Sequence, residues 1–170
     1  MCGRFTLTAD QDSFEDRFSL TGFDLGWVPS FNIAPTQEVL TVTNDGSENR
    51  PELMRWGLVP SWAKDPKIGN RMINARSETL TEKPSFRTAF KRRRCLIPAD
   101  GFYEWKREGK AKKPMLITAN PGGLFAFAGL WETWKQPDGS WLLTCAIITT
   151  SVNEFMASIH DRMPVILPRE

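Results

Sequence analysis

The sequence predicts a single α+β domain over residues 1–170, built on a curved, mostly antiparallel β-sheet or barrel with short flanking helices. Three observations carry this. Strand-like runs recur at short intervals from residue 39 to residue 150, with turn signals of Gly, Asn, Asp and Pro between them. Helical periodicity is confined to three short stretches. No repeat, low-complexity tract or linker divides the chain, and 170 residues at 41% hydrophobic suffice to bury one core without disulfides or metals.

In chain order, Thr8 and Gln11 have capping-box spacing and Phe14 and Phe18 follow one turn apart, which predicts a short helix with both rings on the core. The runs 39–43 and 53–59, joined by a turn at Asn44, Asp45 and Gly46, predict a hairpin whose return strand carries Trp56. Pro84, followed by Phe86, Ala89 and Phe90, predicts a second helix opened by proline. It ends in the basic run from Lys91 to Arg94, which suits a helix C-terminus. Residues 95–97, 101–106, 115–118, 125–131 and 141–150 read as strands, with turns at Glu108-Gly109 and at Pro137, Asp138 and Gly139. A second capping box, Ser151 and Glu154, predicts a last short helix with Val152, Phe155, Met156 and Ile159 on one face and His160 at its end.

Bulk charge does not announce a partner: 22 Lys and Arg stand against 20 Asp and Glu, a formal net charge of +2. Any nucleic-acid argument rests on where the charges fall. Three cysteines, Cys2, Cys95 and Cys145, form no close pair, which argues against a disulfide framework and a thiolate zinc site, so no cofactor or metal is expected. The start lacks a signal peptide's apolar core and no apolar run is long enough for a membrane helix, so a soluble, cytoplasmic protein is expected.

His160 is the only histidine, which removes mechanisms needing two imidazoles; it stands beside Asp161 and Arg162 and serves equally as a structural or a catalytic group. Strand alternation puts Glu104 on the face of Phe102 and opposite Tyr103 and Trp105. It is then either a carboxylate desolvated among aromatics or a solvent-facing residue on a half-wet sheet. Asn74 to Glu78, Asn32 to Pro35 and Trp56 to Trp62 are polar or aromatic-rich, and rings beside cations suit single-stranded DNA, although seven tryptophans also suit a core.

Cys2 gains meaning from processing. A small residue at position 2 permits removal of Met1, exposing an amine and a thiol on one residue, both with nucleophilic fractions near neutral pH. Such a 1,2-aminothiol is matched to an aldehyde: the amine forms an imine, and the thiol closes a five-membered thiazolidine with the benefit of an intramolecular reaction. The alternative is an incidental small residue in a disordered terminus.

Met1-Cys2-Gly3-Arg4-Phe5, Asn32 to Pro35, Trp56-Gly57, Asn74-Ala75-Arg76, Ala99 to Lys106 and His160-Asp161-Arg162, in this order over nearly the whole chain, resemble the SOS-response-associated peptidase (SRAP) family. The resemblance implies a sensor and shield that crosslinks covalently to abasic sites in single-stranded DNA at replication forks. It also implies autopeptidase (hydrolase) removal of the initiator and a lyase-like activity. By that similarity Cys2 is the nucleophile, Asn74 positions the opened sugar, Glu104 transfers protons, and His160 assists sugar opening and reversal. Arg4, Arg76 and Arg162 would contact phosphates, and Pro35, Trp56 and Trp62 would form a wedge and stacking surface. Some relatives carry a second aromatic where this chain has Ala63, and similar proteins continue past the equivalent of Glu170, so a C-terminal segment is expected beyond the domain. The expected state is a monomer meeting abasic-site DNA and replication-fork proteins, associated with the nucleoid.

Two rival functions use the same residues. A thiol protease acting in trans would take Cys2 as nucleophile, His160 as base and Asp161 as orienter. A non-covalent reader of single-stranded or modified DNA would use the tryptophans and arginines alone.

Overall fold

The computed structural model describes residues 2–119 and 122–167. Its elements in order are β1 (Phe5–Leu7), α1 (Gln11–Phe18), β2 (Ser30–Ile33), β3 (Glu38–Asn44), β4 (Asn49–Trp56), β5 (Asn74–Arg76), α2 (Arg87–Arg92), β6 (Arg94–Ala99), β7 (Gly101–Glu108), β8 (Ala111–Ile117), β9 (Phe125–Lys135), β10 (Trp141–Ser151), α3 (Glu154–Ala157), β11 (Arg162–Pro164) and β12 (Ile166–Leu167). The α+β reading holds.

A five-stranded barrel runs β10-β4-β3-β6-β9 and closes because β9 also pairs β10, from Trp141 opposite Lys135 to Ile147 opposite Gly129. All these pairs are antiparallel except β10 with β4. The closure is tight. A Cβ on Gly129 would stand 2.8 Å from Ile97 Cδ1 and 2.9 Å from Cys95 Sγ, so glycine is what lets β9 pass there.

A smaller sheet, β2-β1-β7-β8, lies against the barrel. Alternation explains the seam: Phe5 of β1 and Phe102 of β7 are register partners turned inward, and both rings meet Phe127 of β9 edge-on, at 5.7 and 5.9 Å. Phe5 also meets Trp56 at 5.2 Å. Each such ring contributes roughly 1.5–3 kcal/mol by leaving water. The crossing from barrel to small sheet is at Asp100, whose carboxylate accepts from the Thr6 and Thr8 hydroxyls and from the backbone N–H groups of Thr8 and Ala9.

Several local expectations are corrected. The first helix is capped by Asp10, which accepts from Ser13 N; Thr8 is spent on Asp100. Phe14 and Phe18 are buried as the spacing predicts. The second helix starts at Arg87, so Pro84 sits in the preceding turn. The last helix is only four residues long and capped by Asn153, because Ser151 still belongs to β10. Met156 is buried, but Phe155 is 66% exposed, since four residues cannot carry the full predicted face. Among the described residues no helix is long and apolar enough to cross a membrane.

Candidate active site

The site forms where the chain's first residues run along β7. Tyr103 N donates to Arg4 O (2.9 Å), continuing the β1–β7 pairing toward the N-terminus and drawing Cys2 in beside Glu104. Cys2 and Glu104 are 0% and 1% exposed. The alternation of β7, with Glu104 on the face of Phe102, is therefore correct, and of the two readings left open for Glu104 the solvent-facing one is overturned: the small sheet's inner face is sealed by the barrel.

Two other segments reach the same place through β10. The short strand β5 pairs parallel to it, Asn74 opposite Ile147, and Asn74 Nδ2 donates to Cys2 O (3.0 Å). Among the described residues Asn74 Oδ1 is buried without a hydrogen-bond partner, an acceptor left unspent. On the other side of the strand end, β11 pairs antiparallel with β10 and sets His160 just ahead of it. His160 Nε2 lies 3.9 Å from Glu104 Oε2.

The imidazole has two options at its other nitrogen. Arg162 N–H donates to Nδ1 (3.1 Å), and Asp161 Oδ1 stands 2.7 Å from the same atom. A neutral ring cannot accept from the first and donate to the second at once. The first arrangement puts the proton on Nε2, toward Glu104, and the second takes it toward Asp161. His160, Glu104, Trp105, Arg107, Lys112 and Asp161 line a groove of about 580 Å³, so Glu104 joins the buried cysteine to an open, polar cleft. A second hollow of about 610 Å³, beside Phe90, Cys95 and Leu167, is apolar and holds none of these groups.

Burial pushes the Cys2 thiol far above its ordinary range, and the Glu104 carboxylate adds to the shift. That shift favours the un-ionised thiol at residue 2. Among the described residues no cluster of His, Cys, Asp and Glu could hold a metal.

The remaining predicted residues divide. Arg4 Nη1 donates to Asn32 Oδ1 (3.1 Å), so two of the motifs meet. Pro35 is half-buried, Arg76 exposed and Trp62 59% exposed. Trp56 is a correction: it is 0% exposed, packed on Phe5, with its indole N–H on Ile73 O (2.9 Å), and offers no face for stacking. Arg162 is committed within the protein. Its two terminal nitrogens donate to Glu78 Oε1 (2.6 Å) and Oε2 (3.0 Å), and Nη2 also to Thr149 O (2.9 Å). Sequence reasoning missed this role of Glu78, 84 positions from its partner; its only signal was membership of the polar run that begins at Asn74. Met1 lies outside the described residues.

Comparison with known proteins fits the architecture. The abasic site processing protein YoqW of Bacillus subtilis is 57% identical over 173 residues, covering all of this chain and 77% of that protein. The abasic site processing protein HMCES of Xenopus tropicalis is 36% identical over 169 residues, covering 82% of this chain and 50% of that one. A crystal structure of a Bacteroides thetaiotaomicron protein superposes with a TM-score of 0.91 at 27% identity, covering 99% of this chain and 78% of that chain. Residues 1–170 match the family described as SOS response associated peptidase (SRAP), and with a barrel and site of this form the chain belongs to that family.

Proposed function

We propose that the protein bonds covalently to abasic sites in single-stranded DNA through Cys2 once Met1 has been removed. The observation that carries this reading is the convergence of Asn74 and Glu104, from separated segments, on a buried residue-2 cysteine, with His160 of a third segment facing Glu104. The relatives named abasic site processing proteins supply the electrophile.

The exposed amine adds to the aldehyde carbon of the ring-opened sugar, and water leaves as the imine forms. The sulfur then adds to the same carbon, its proton ending on the nitrogen, and a thiazolidine closes. One aldehyde and one aminothiol give one thiazolidine and one water. Glu104 transfers the protons of imine formation and receives that of the un-ionised thiol. His160, facing Glu104, assists sugar opening and the reverse reaction. Asn74 Oδ1 accepts from a sugar hydroxyl, while Arg4 and Arg76 hold phosphates. The same centre removes Met1, and its imine also permits lyase-like elimination at the lesion. This work belongs in the cytoplasm at the replicating nucleoid, for a monomer meeting fork proteins.

A trans-acting protease needs a thiolate activated before substrate arrives, whereas burial pushes the Cys2 thiol up and favours its protonated form. The test is a denaturing gel of the protein mixed with a single-stranded oligonucleotide carrying one abasic site. A heat-stable adduct is expected, absent from Cys2→Ala and from protein with an uncleavable N-terminal tag. Equal adduct from Cys2→Ala would overturn the thiazolidine, and loss of every wild-type complex on denaturation would favour the non-covalent reader.

A further inference from the structure

We infer that Asp100 is a positioning residue for Cys2: its carboxylate latches the start of the chain to the corner between β6 and β7, and so fixes the register that puts residue 2 in the seam beside Glu104. This deepens the proposed function and rests on it for the reaction that Cys2 performs, whereas the latch itself is testable without DNA.

Backbone pairing alone holds β1 weakly. Its ladder with β7 has two register partners, Phe5 with Phe102 and Thr6 with Gly101, and its ladder with β2 changes register between Phe5 and Leu7. Strand side chains alternate, so a slip of one residue would turn Phe5 out of the seam and carry Cys2 roughly 3.3 Å along β7 from its place beside Glu104. Something beyond these short ladders must fix the register.

Asp100 supplies it. Its Oδ1 accepts from the Thr6 hydroxyl, and its Oδ2 accepts from Thr8 N–H, from the Thr8 hydroxyl (2.7 Å) and from Ala9 N–H (3.2 Å). In return Asp100 N–H donates to Thr6 O (3.0 Å). The neighbouring glycine makes room, since a Cβ on Gly101 would stand 2.9 Å from Thr6 Oγ1. Burial raises the Asp100 carboxyl, but these donors outweigh it and hold the group below its ordinary range, so the acceptor is charged and its bonds are strong. Thr6 and Thr8 lie two apart, on one face of the strand, and a slip of one residue would turn both hydroxyls away from Asp100. One register alone satisfies the carboxylate. From Thr6 the chain runs back to Arg4, whose carbonyl accepts from Tyr103 N–H, and to Cys2, whose carbonyl accepts from the Asn74 amide. Asp100 is not among the residues lining the groove of Glu104 and His160, and it acts on Cys2 through the backbone of β1.

The readouts are alkylation of Cys2 in the folded protein by N-ethylmaleimide, followed by mass spectrometry of the N-terminal peptide, and the single-turnover rate of adduct formation with a saturating single-stranded abasic oligonucleotide. Asp100→Ala should label Cys2 roughly tenfold faster and form adduct roughly tenfold more slowly, because loss of a charged acceptor lets the segment open locally. Asp100→Asn, which sets an amide NH₂ against N–H and hydroxyl donors, should fall between. Thr8→Ser keeps both bonds to Oδ2 and should behave as the unaltered protein does. The control is Glu132→Gln, which breaks the buried pair with Arg93 and leaves β1 untouched; it should lower the melting temperature without exposing Cys2. Unchanged labelling in Asp100→Ala and Asp100→Asn overturns the latch. So does an equal rise in Glu132→Gln at the same loss of melting temperature, or faster labelling of the Asp100 variants with an unaltered adduct rate. Where Asp100→Ala does not fold, the same outcomes are read from Asp100→Asn and from Thr8→Val, which removes one hydroxyl. Faster labelling of the Asp100 variants, with no adduct from any protein including the unaltered one, would sustain the latch and sink the covalent reading instead.

Discussion

Cys145 and Cys2 are both fully buried, and burial pushes both thiols far up, yet they sit in chemically opposite places. Cys145 lies in the barrel wall, in register with Trp56 on one side and Trp131 on the other, and the titrating group that acts on it is Cys95. Cys2 lies in the seam between barrel and small sheet, against Glu104 and held through its carbonyl by Asn74. Low dielectric alone makes a cysteine inert. The seam differs in supplying a carboxylate and an amide, with an imidazole 3.9 Å from that carboxylate. Reactivity here is therefore expected to come from proton acceptors around the residue and not from a stabilised thiolate.

The largest expected effect breaks this comparison directly. Cys2→Ala should abolish the heat-stable adduct, whereas Cys145→Ala should retain it and lose only about 1 kcal/mol of stability, read from denaturant unfolding. Loss of adduct in both would mean that the seam is not special. Next in size, Glu104→Gln keeps shape but removes the titrating proton, so single-turnover crosslinking should slow about 10²-fold with little change in oligonucleotide affinity. His160→Ala should slow release of pre-formed adduct more than its formation; unchanged rates in both variants would make these residues structural.

Smaller effects separate the arginines. Charge reversal at Arg4 or Arg76 should weaken single-strand binding far more than reversal at Lys110, and the loss should shrink as salt rises. Arg162→Ala should instead lower the melting temperature first, because it leaves Glu78 and Thr149 O without their partner. The smallest effect is in acid. The Arg162 guanidinium holds the Glu78 carboxyl at about 2, against an ordinary 4.5. A depressed folded value gives stability that is complete above 4.5 and lost as pH falls through about 2. Glu78→Gln should flatten that part of the melting-temperature profile, and an unaltered profile would show that the pair contributes nothing.

Local signals were legible where local physics decides. The alternation of β7 placed Glu104 on the face of Phe102, although only the packed barrel made that face the buried one; one turn of helix placed Phe14 and Phe18 on the core, and the turn at Asn44 placed the β3–β4 hairpin. Caps were misread at Thr8 and Ser151 because each has a competing partner set by the fold: Asp100 takes the first and β10 the second. Trp56 was misread because a tryptophan in an aromatic-rich segment reads alike whether it faces a ligand or Phe5.

The sequence by itself determined the class of fold, the aminothiol latent at residue 2, and the motifs whose order marks the family. Tertiary structure decided that Asn74 and Glu104 meet at Cys2 with His160 facing Glu104, that Trp56 is core, and that Arg162 is clamped by Glu78. The reason is range. Periodicity and turn chemistry act over a few residues, where backbone geometry transmits them. The pairing of β5 with β10 and the bond from Asn74 to Cys2, which assemble the site, join residues more than 70 positions apart that only a closed barrel brings together.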